Sequence, residues 1–317
     1  MTGLRVTTVL DPPASPAVPS RRRRPVLLVT LVVVAVLLAA AGYVAAARVR
    51  STDLRRSYLG ANGWPTIGQA AYRVGTVVHA SAAQDPVPIA SLAKVMTAYV
   101  VLQSMPLRGR DEGPSLTITA RDVQDYVLRR SRDESVVRVA AGERLTERQA
   151  LAALLIPSAN NVAVLLARRV AGSTAEFVAR MNAAASRLGM AQTRYVDPSG
   201  FDPRTVSTAR DQLTLATAVA GNAVISDLVS RTSYRLPVAG VVRNTDILLG
   251  REGFVGTKTG SDDAAGGCFM FRTTRVVHRQ LTEVLGVVLG QRGRHDITAG
   301  LTAAHQLAAH IGSPAGG

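Results

Sequence analysis

The chain uses arginine almost to the exclusion of lysine: of its 37 basic residues only two, Lys94 and Lys258, are lysine. A GC-rich genome would produce that bias without selection, so the neighbours of each lysine have to decide its meaning. An ammonium can shed its proton when buried, whereas a guanidinium stays charged, so a retained lysine marks a place where arginine could not serve. Lys94 stands three residues after Ser91, at the start of a segment that is apolar nearly all round. On a helix that spacing puts hydroxyl and amine on one face, within reach of each other. Serine is a poor nucleophile at neutral pH and needs an adjacent base, and Lys94 is the base the spacing offers. A second group is Pro157-Ser158-Ala159-Asn160, a hydroxyl and an amide in the loop between two helices. The third is Lys258-Thr259-Gly260, a cation and a hydroxyl at the end of a strand, with glycine allowing close backbone approach. Each has a bland reading by itself: a lysine snorkelling from a helix end, a helix cap, and an edge-strand lysine that blunts aggregation.

In this order, with both lysines inside them, the three groups form the set SxxK, SxN and KTG of penicillin-binding proteins and class A β-lactamases. The text around them narrows the match. Pro88-Ile-Ala-Ser-Leu-Ala-Lys-Val-Met-Thr-Ala98, Gly142-Glu-Arg-Leu-Thr146, Ala153-Leu-Leu-Ile-Pro-Ser-Ala-Asn-Asn161, Asp197-Pro-Ser-Gly200, Ser207-Thr-Ala209 and Gly256-Thr-Lys-Thr-Gly260 resemble the low-molecular-mass D-alanyl-D-alanine carboxypeptidases over roughly residues 64 to 312. The resemblance implies an α/β fold of the penicillin-binding-protein and β-lactamase kind, an antiparallel sheet flanked by helices with an all-helical subdomain at about 115–225. It implies removal of the terminal D-alanine of peptidoglycan stem peptides through an acyl-enzyme on Ser91, and inhibition by β-lactams. Lys94 would be the base, its pKa lowered by burial and by the charge of Lys258. Ser158 would relay a proton to the leaving amine, and Asn160 would orient Lys94 and the substrate amide. Lys258, Thr259, Gly260 and Ser261 would line the substrate site. Lys258 and Thr259 would face the terminal carboxylate, and the backbone amides of Ser91 and Ser261 would form the oxyanion hole. The sequence departs from the family at Asp262, where a hydroxyl residue is usual. Arg292 and Arg294 are both available to a carboxylate, and the sequence does not choose between them.

The elements that must position these groups can be read in outline. Gln69–Val74 and Thr76–Ala80 form a first strand pair around Gly75, and Ser91 to Gln103 a buried helix. Capping boxes start three more helices, at Thr146 with Gln149, Ser173 with Glu176 and Thr119 with Asp122. After Arg251 the pattern turns to strands at Phe254–Lys258, Gly267–Phe271 and Val284–Leu289, and a helix from Asp296 to Ile311 closes the chain.

Composition sets the boundaries. With 317 residues, 47% hydrophobic and 19% charged, the chain can bury a large core and is not disordered as a whole. One cysteine, Cys268, excludes a disulfide framework, and the five histidines lack metal-ligand spacing, so no metal and no cofactor is expected. The formal charge of +15 is spread out and lacks a nucleic-acid motif, so no nucleic-acid partner is expected.

Residues 1–25 read as a proline-rich cytoplasmic tail. Val26 to Ala47 gives 22 uncharged positions, enough to span a bilayer as a single transmembrane anchor. Arg21 to Arg24 precede it, which keeps the N-terminus inside and places the remainder outside the cell membrane. The alternative is a signal peptide cleaved after Ala45-Ala46-Ala47. A linker at 48–63, the catalytic domain at 64–312 and a tail at 313–317 complete the division.

Three rival functions share parts of this pattern. A class A-like β-lactamase needs a glutamate to activate water, and between the second and third motifs only Glu176 and Glu252 occur. A catalytically silent wall-binding module would have no need of all three motifs intact. A Ser-His-Asp hydrolase would carry a GxSxG elbow, which is missing.

Overall fold

The computed structural model describes residues 57–314. The expected tail and membrane segment lie outside them, and among the described residues no single helix is long and apolar enough to cross a membrane.

Alternation of apolar side chains builds a sheet with two buried faces. Its strands are β1 (Gln69–Val74), β2 (Val77–Ala80), β3 (Phe254–Asp262), β4 (Gly266–Val277) and β5 (Gln280–Gln291). They pair antiparallel throughout in the order β3-β4-β5-β1-β2. A two-residue strand, β6 (Ser313–Pro314), pairs with Val276 and Arg275 on β4. Structure thus runs into the expected C-terminal tail. At the other end, Tyr58 is buried and its amide donates to Gln306, so packing begins inside the expected linker.

The first face carries Ala70, Phe269, Phe271, Val284 and Val288, closed by Leu301, Ala304, Leu307 and Ala308 of α8 (Asp296–Ile311). The second face carries Ala71, Met270, Leu285, Val287 and Leu289 and joins the main core. One extra residue in β3 between Phe254 and Thr257 makes a bulge. It turns Phe254 toward α8, while Lys258, opposite Met270, stays on the second face.

The helices that share the core behind that second face are α1 (Ala93–Ser104), α2 (Ala120–Arg130), α3 (Glu147–Leu155), α4 (Asn160–Ala171), α5 (Thr174–Arg187), α6 (Ala209–Ala220) and α7 (Ala223–Val229). Of these, α6 lies on β5 and β1, and α1 runs through the centre, packed by α3, α4 and α5. Nine of the twelve residues of α1 are buried, so it has no solvent face, as its uniformly apolar sequence predicts.

Two of the three expected capping boxes are complete, Thr119 with Asp122 on α2 and Thr146 with Gln149 on α3. On α5 only half forms: Ser173 accepts from the Glu176 amide, while the Glu176 carboxylate lies 3.8 Å from Arg180.

The short strand pairs were not foreseen. Ser115–Thr117 pairs with Arg144–Thr146, Ser233–Leu236 with Gly240–Arg243, and Val87–Pro88 with Val206–Ser207. The last of these pins the segment that leads into Ser91.

Candidate active site

Ser91 sits in a single 3-10 turn, Ala90–Leu92, that runs directly into α1. Lys94, in the first turn of α1 and 0% exposed, has its Nζ 2.6 Å from Ser91 Oγ and 3.1 Å from Ser158 Oγ. The first and second motifs, 64 residues apart at this contact, therefore meet at one amine. Burial pushes the pKa of Lys94 well below that of an ordinary lysine, and the charge of Lys258 pushes the same way. Asp197 and Glu134 pull it back up only in part.

Two backbone features aim these hydroxyls. Ala90, just before Ser91, has φ +44°, and Ser158 has φ +66°; both are left-handed conformations that non-glycine residues seldom adopt. Glycines make room around the nucleophile. A Cβ on Gly200 would fall 1.9 Å from the Ala90 carbonyl, and one on Gly260 would lie 3.0 Å from the Ser91 amide. The Gly200 loop is itself fixed, because Asp197 accepts from the Ser199 amide and hydroxyl, the Phe201 amide and the Thr205 hydroxyl. Thr97 of α1 donates to the Pro198 carbonyl at 2.6 Å, which ties this loop to the nucleophile helix. The Asp197-Pro-Ser-Gly200 stretch is thus a brace for the site. Ser207-Thr-Ala209 is one too: Thr208 caps α6, and the Ala209 amide donates to Gln69 Oε1 of β1.

Lys258 is 1% exposed, so the aggregation-blunting reading of an edge lysine does not hold, although β3 is an edge strand. Its Nζ donates to the Thr259 carbonyl at 2.7 Å. Burial lowers its pKa to about 7, opposed by Asp246. Asp246 is raised by burial to about 6. The Thr259 hydroxyl lies 2.5 Å from that of Thr245. Lys258 and Thr259 are thus each tied to a neighbouring group, and the charge of Lys258 lowers the pKa of Lys94. Arg292 donates to the carbonyls of Asp263 and Ala264 and pairs with Asp296, which occupies its guanidinium in the turn after β3.

Asn160 is tied to the loop that follows α2. Its amide nitrogen donates to Glu134 Oε2 at 2.7 Å, and its Oδ1 is buried without a donor. The same Glu134 oxygen accepts from Arg129 of α2 at 2.8 Å. Glu134 carries no signal in the sequence, where it follows Asp133 in a polar loop between the first and second motifs. A cavity of about 350 Å³ opens over this group, lined by Ser91, Asn160, Glu134 and Ser261 among others. A larger hollow of about 710 Å³ shares Glu134 and Phe201 but reaches neither Ser91 nor Lys94, so the chemistry belongs to the smaller one.

Comparison with known proteins agrees with this arrangement. The D-alanyl-D-alanine carboxypeptidase family profile matches residues 70–292. The chain belongs to that family. It is 35% identical over 208 residues to a D-alanyl-D-alanine endopeptidase of Pseudomonas aeruginosa, covering 63% of this chain and 64% of that one. It is 29% identical over 218 residues to a D-alanyl-D-alanine carboxypeptidase of Streptomyces sp. K15, covering 63% and 73%. The alignments with the endopeptidases of Pseudomonas aeruginosa and Escherichia coli span 64% and 59% of those relatives' lengths. Among solved structures, the Streptomyces K15 DD-transpeptidase superposes with a TM-score of 0.66 at 26% identity, covering 78% of this chain and 98% of that one. The family's sheet and helices are those described above.

Proposed function

We propose that this family member is a serine D-alanyl-D-alanine carboxypeptidase acting on peptidoglycan stem peptides, with Ser91 as the nucleophile. The observation that carries the reading is the buried Lys94 amine lying between two serine hydroxyls, 2.6 Å from Ser91 Oγ and 3.1 Å from Ser158 Oγ. An amine held neutral by burial accepts the Ser91 proton as Oγ attacks the carbonyl of the penultimate D-alanine. The proton passes through Ser158 to the amine of the departing D-alanine. Water then hydrolyses the ester, with Lys94 again neutral and able to accept a proton. The Ser91 amide, close against Gly260, and the Ser261 amide stabilise the oxyanion. Lys258 sets the electrostatics of Lys94, and Lys258 with Thr259 attracts the terminal carboxylate.

The same proposal places the chain at the cell membrane, held by residues 26–47 with the catalytic domain outside, where the wall lies. Protease added to intact spheroplasts would then digest the catalytic domain and spare a tag fused at Met1; protection of the domain would refute that topology.

The deciding experiment is acylation by a labelled penicillin. The wild-type chain takes up label and Ser91→Ala takes up none; labelling that persists in Ser91→Ala sinks the assignment. Relatives at 35% identity are endopeptidases, which supports cleavage of D-alanyl cross-links as a second reading. Incubation with a cross-linked muropeptide dimer beside a pentapeptide monomer separates the two.

A further inference from the structure

The site makes opposite demands on its two amines. Lys94 has to be neutral to take the Ser91 proton, while Lys258 has to stay charged to attract a carboxylate and to keep Lys94 neutral. Both are buried, and burial drives either one to give up its proton. A further group has to hold the proton on Lys258 and not on Lys94.

Asp246 has the placement to do so. It lies in the turn before β3 and is 6% exposed. Asn244 anchors this turn to the end of α7, its side-chain amide donating to the carbonyls of Val229 and Arg231 while its Oδ1 accepts from the Asp246 amide. Thr245 joins the turn to β3 through the Thr259 hydroxyl. Asp246 Oδ1 accepts from the Leu248 amide at 2.8 Å, and its Oδ2 is buried with no hydrogen-bond partner among the described residues. An asparagine would accept from Leu248 as well and would bury no charge. The turn therefore accounts for the side chain of Asp246 but not for its charge. The charged groups that face Lys258 are Lys94, from α1, and Asp246. Asp246 is not among the principal charges acting on Lys94, so its field distinguishes the two amines.

We propose that Asp246 is a positioning residue for acylation, holding the proton on Lys258 so that this buried amine stays a cation while Lys94 stays a base. The proposal rests on the reading of Ser91 as the nucleophile and of Lys258 as the cation that attracts the carboxylate. Asp246 acts only when ionised. Burial raises its carboxyl to about 6, and burial lowers Lys258 to about 7, so the carboxylate is present in the pH range where Lys258 would otherwise shed its proton. Below about pH 6 Asp246 is itself protonated, and an asparagine in its place would carry the same charge.

The test is the second-order rate of acylation by a labelled penicillin, itself a carboxylate, on the full-length wild type and Asp246→Asn between pH 5 and pH 8. Asparagine keeps the size of the side chain and the contact with Leu248. An opposite charge beside a buried amine changes its protonation by a factor of about ten or more. Asp246→Asn should therefore match the wild type near pH 5 and fall behind it by about tenfold or more at pH 8. The same substitution is then made in Lys258→Arg. A guanidinium keeps its proton without help, so in that background Asp246→Asn should change the rate by one factor at every pH. A wild-type-to-variant ratio that is flat across pH overturns the proposal, and so does a pH-dependent ratio that persists in Lys258→Arg. Labelling that Ser91→Ala abolishes, together with a flat ratio, refutes the role of Asp246 alone; no labelling of the wild type refutes the Ser91 reading with it.

Discussion

Among the described residues two helices carry a charge with no exposure at all in their first turn, and only one of these charges meets other reactive groups. Lys94 starts α1 and Glu147 starts α3, and both are 0% exposed. Burial moves each toward its neutral form, Lys94 downward and Glu147 upward to about 7. The difference lies in what surrounds them. Two hydroxyls converge on Lys94, brought by separate elements and held in unusual backbone conformations. Neither oxygen of Glu147 has a hydrogen-bond partner, and its near neighbours include Leu107 and Gly113. A perturbed ionisable group is thus a by-product of burial; chemistry needs other reactive groups aimed at it.

Exchanging Lys94 for arginine tests the first half of that contrast most sharply. Arginine keeps the charge and loses the ability to be a neutral base, so Lys94→Arg should lower the second-order rate of penicillin acylation by a factor of roughly 10² or more. A near-normal rate would show that the proton leaves Ser91 by another route.

A smaller effect is expected at Lys258. Acylation needs neutral Lys94, so its rate rises with pH through the depressed pKa of Lys94. Lys258→Met removes a positive charge that helps to depress it. The pKa of Lys94 then rises, the acid limb of the pH profile moves to higher pH, and the rate on that limb falls, by less than in Lys94→Arg. Lys258→Arg should keep more of the rate than Lys258→Met, and an unmoved limb in Lys258→Met would remove Lys258 from the electrostatic account.

Glu147 should have no effect on acylation and a clear one on stability. Its pKa is raised from an ordinary 4.5 to about 7, so the folded chain holds a proton that the unfolded chain has lost. The resulting contribution is complete below about pH 4.5 and lost as pH rises through about 7, a difference of up to about 3 kcal/mol. Glu147→Gln cannot ionise, so its stability gain over the native chain should be larger at pH 8 than at pH 5 in paired urea titrations. A pH-independent difference, or altered acylation, would erase the distinction between the two helices.

What could be read in the sequence follows the same division. Lys94 was legible because lysine is so scarce here, and the strands β3, β4 and β5 because their cores alternate or run apolar. Their exposed ends, such as Gln280 to Glu283, lack that signal, so the strands proved longer than their apolar centres. Glu134 was not legible: its meaning comes from Asn160, 26 residues away, and from Arg129 on another element. Lys258 was legible as important, but its burial was not, since that depends on the bulge in β3 and on helices packed across the sheet.

Ala90 and Ser158 carry one more consequence. Left-handed backbone at a non-glycine residue costs on the order of 1–3 kcal/mol and survives only where surrounding structure enforces it. Glycine would sit at either position without that strain. At Ser158 the exchange would discard the hydroxyl beside Lys94, so selection for stability and selection for turnover pull this position toward different residues. Evolution toward heat resistance alone would therefore be expected to erode the catalytic loop first, while the sheet behind it improved.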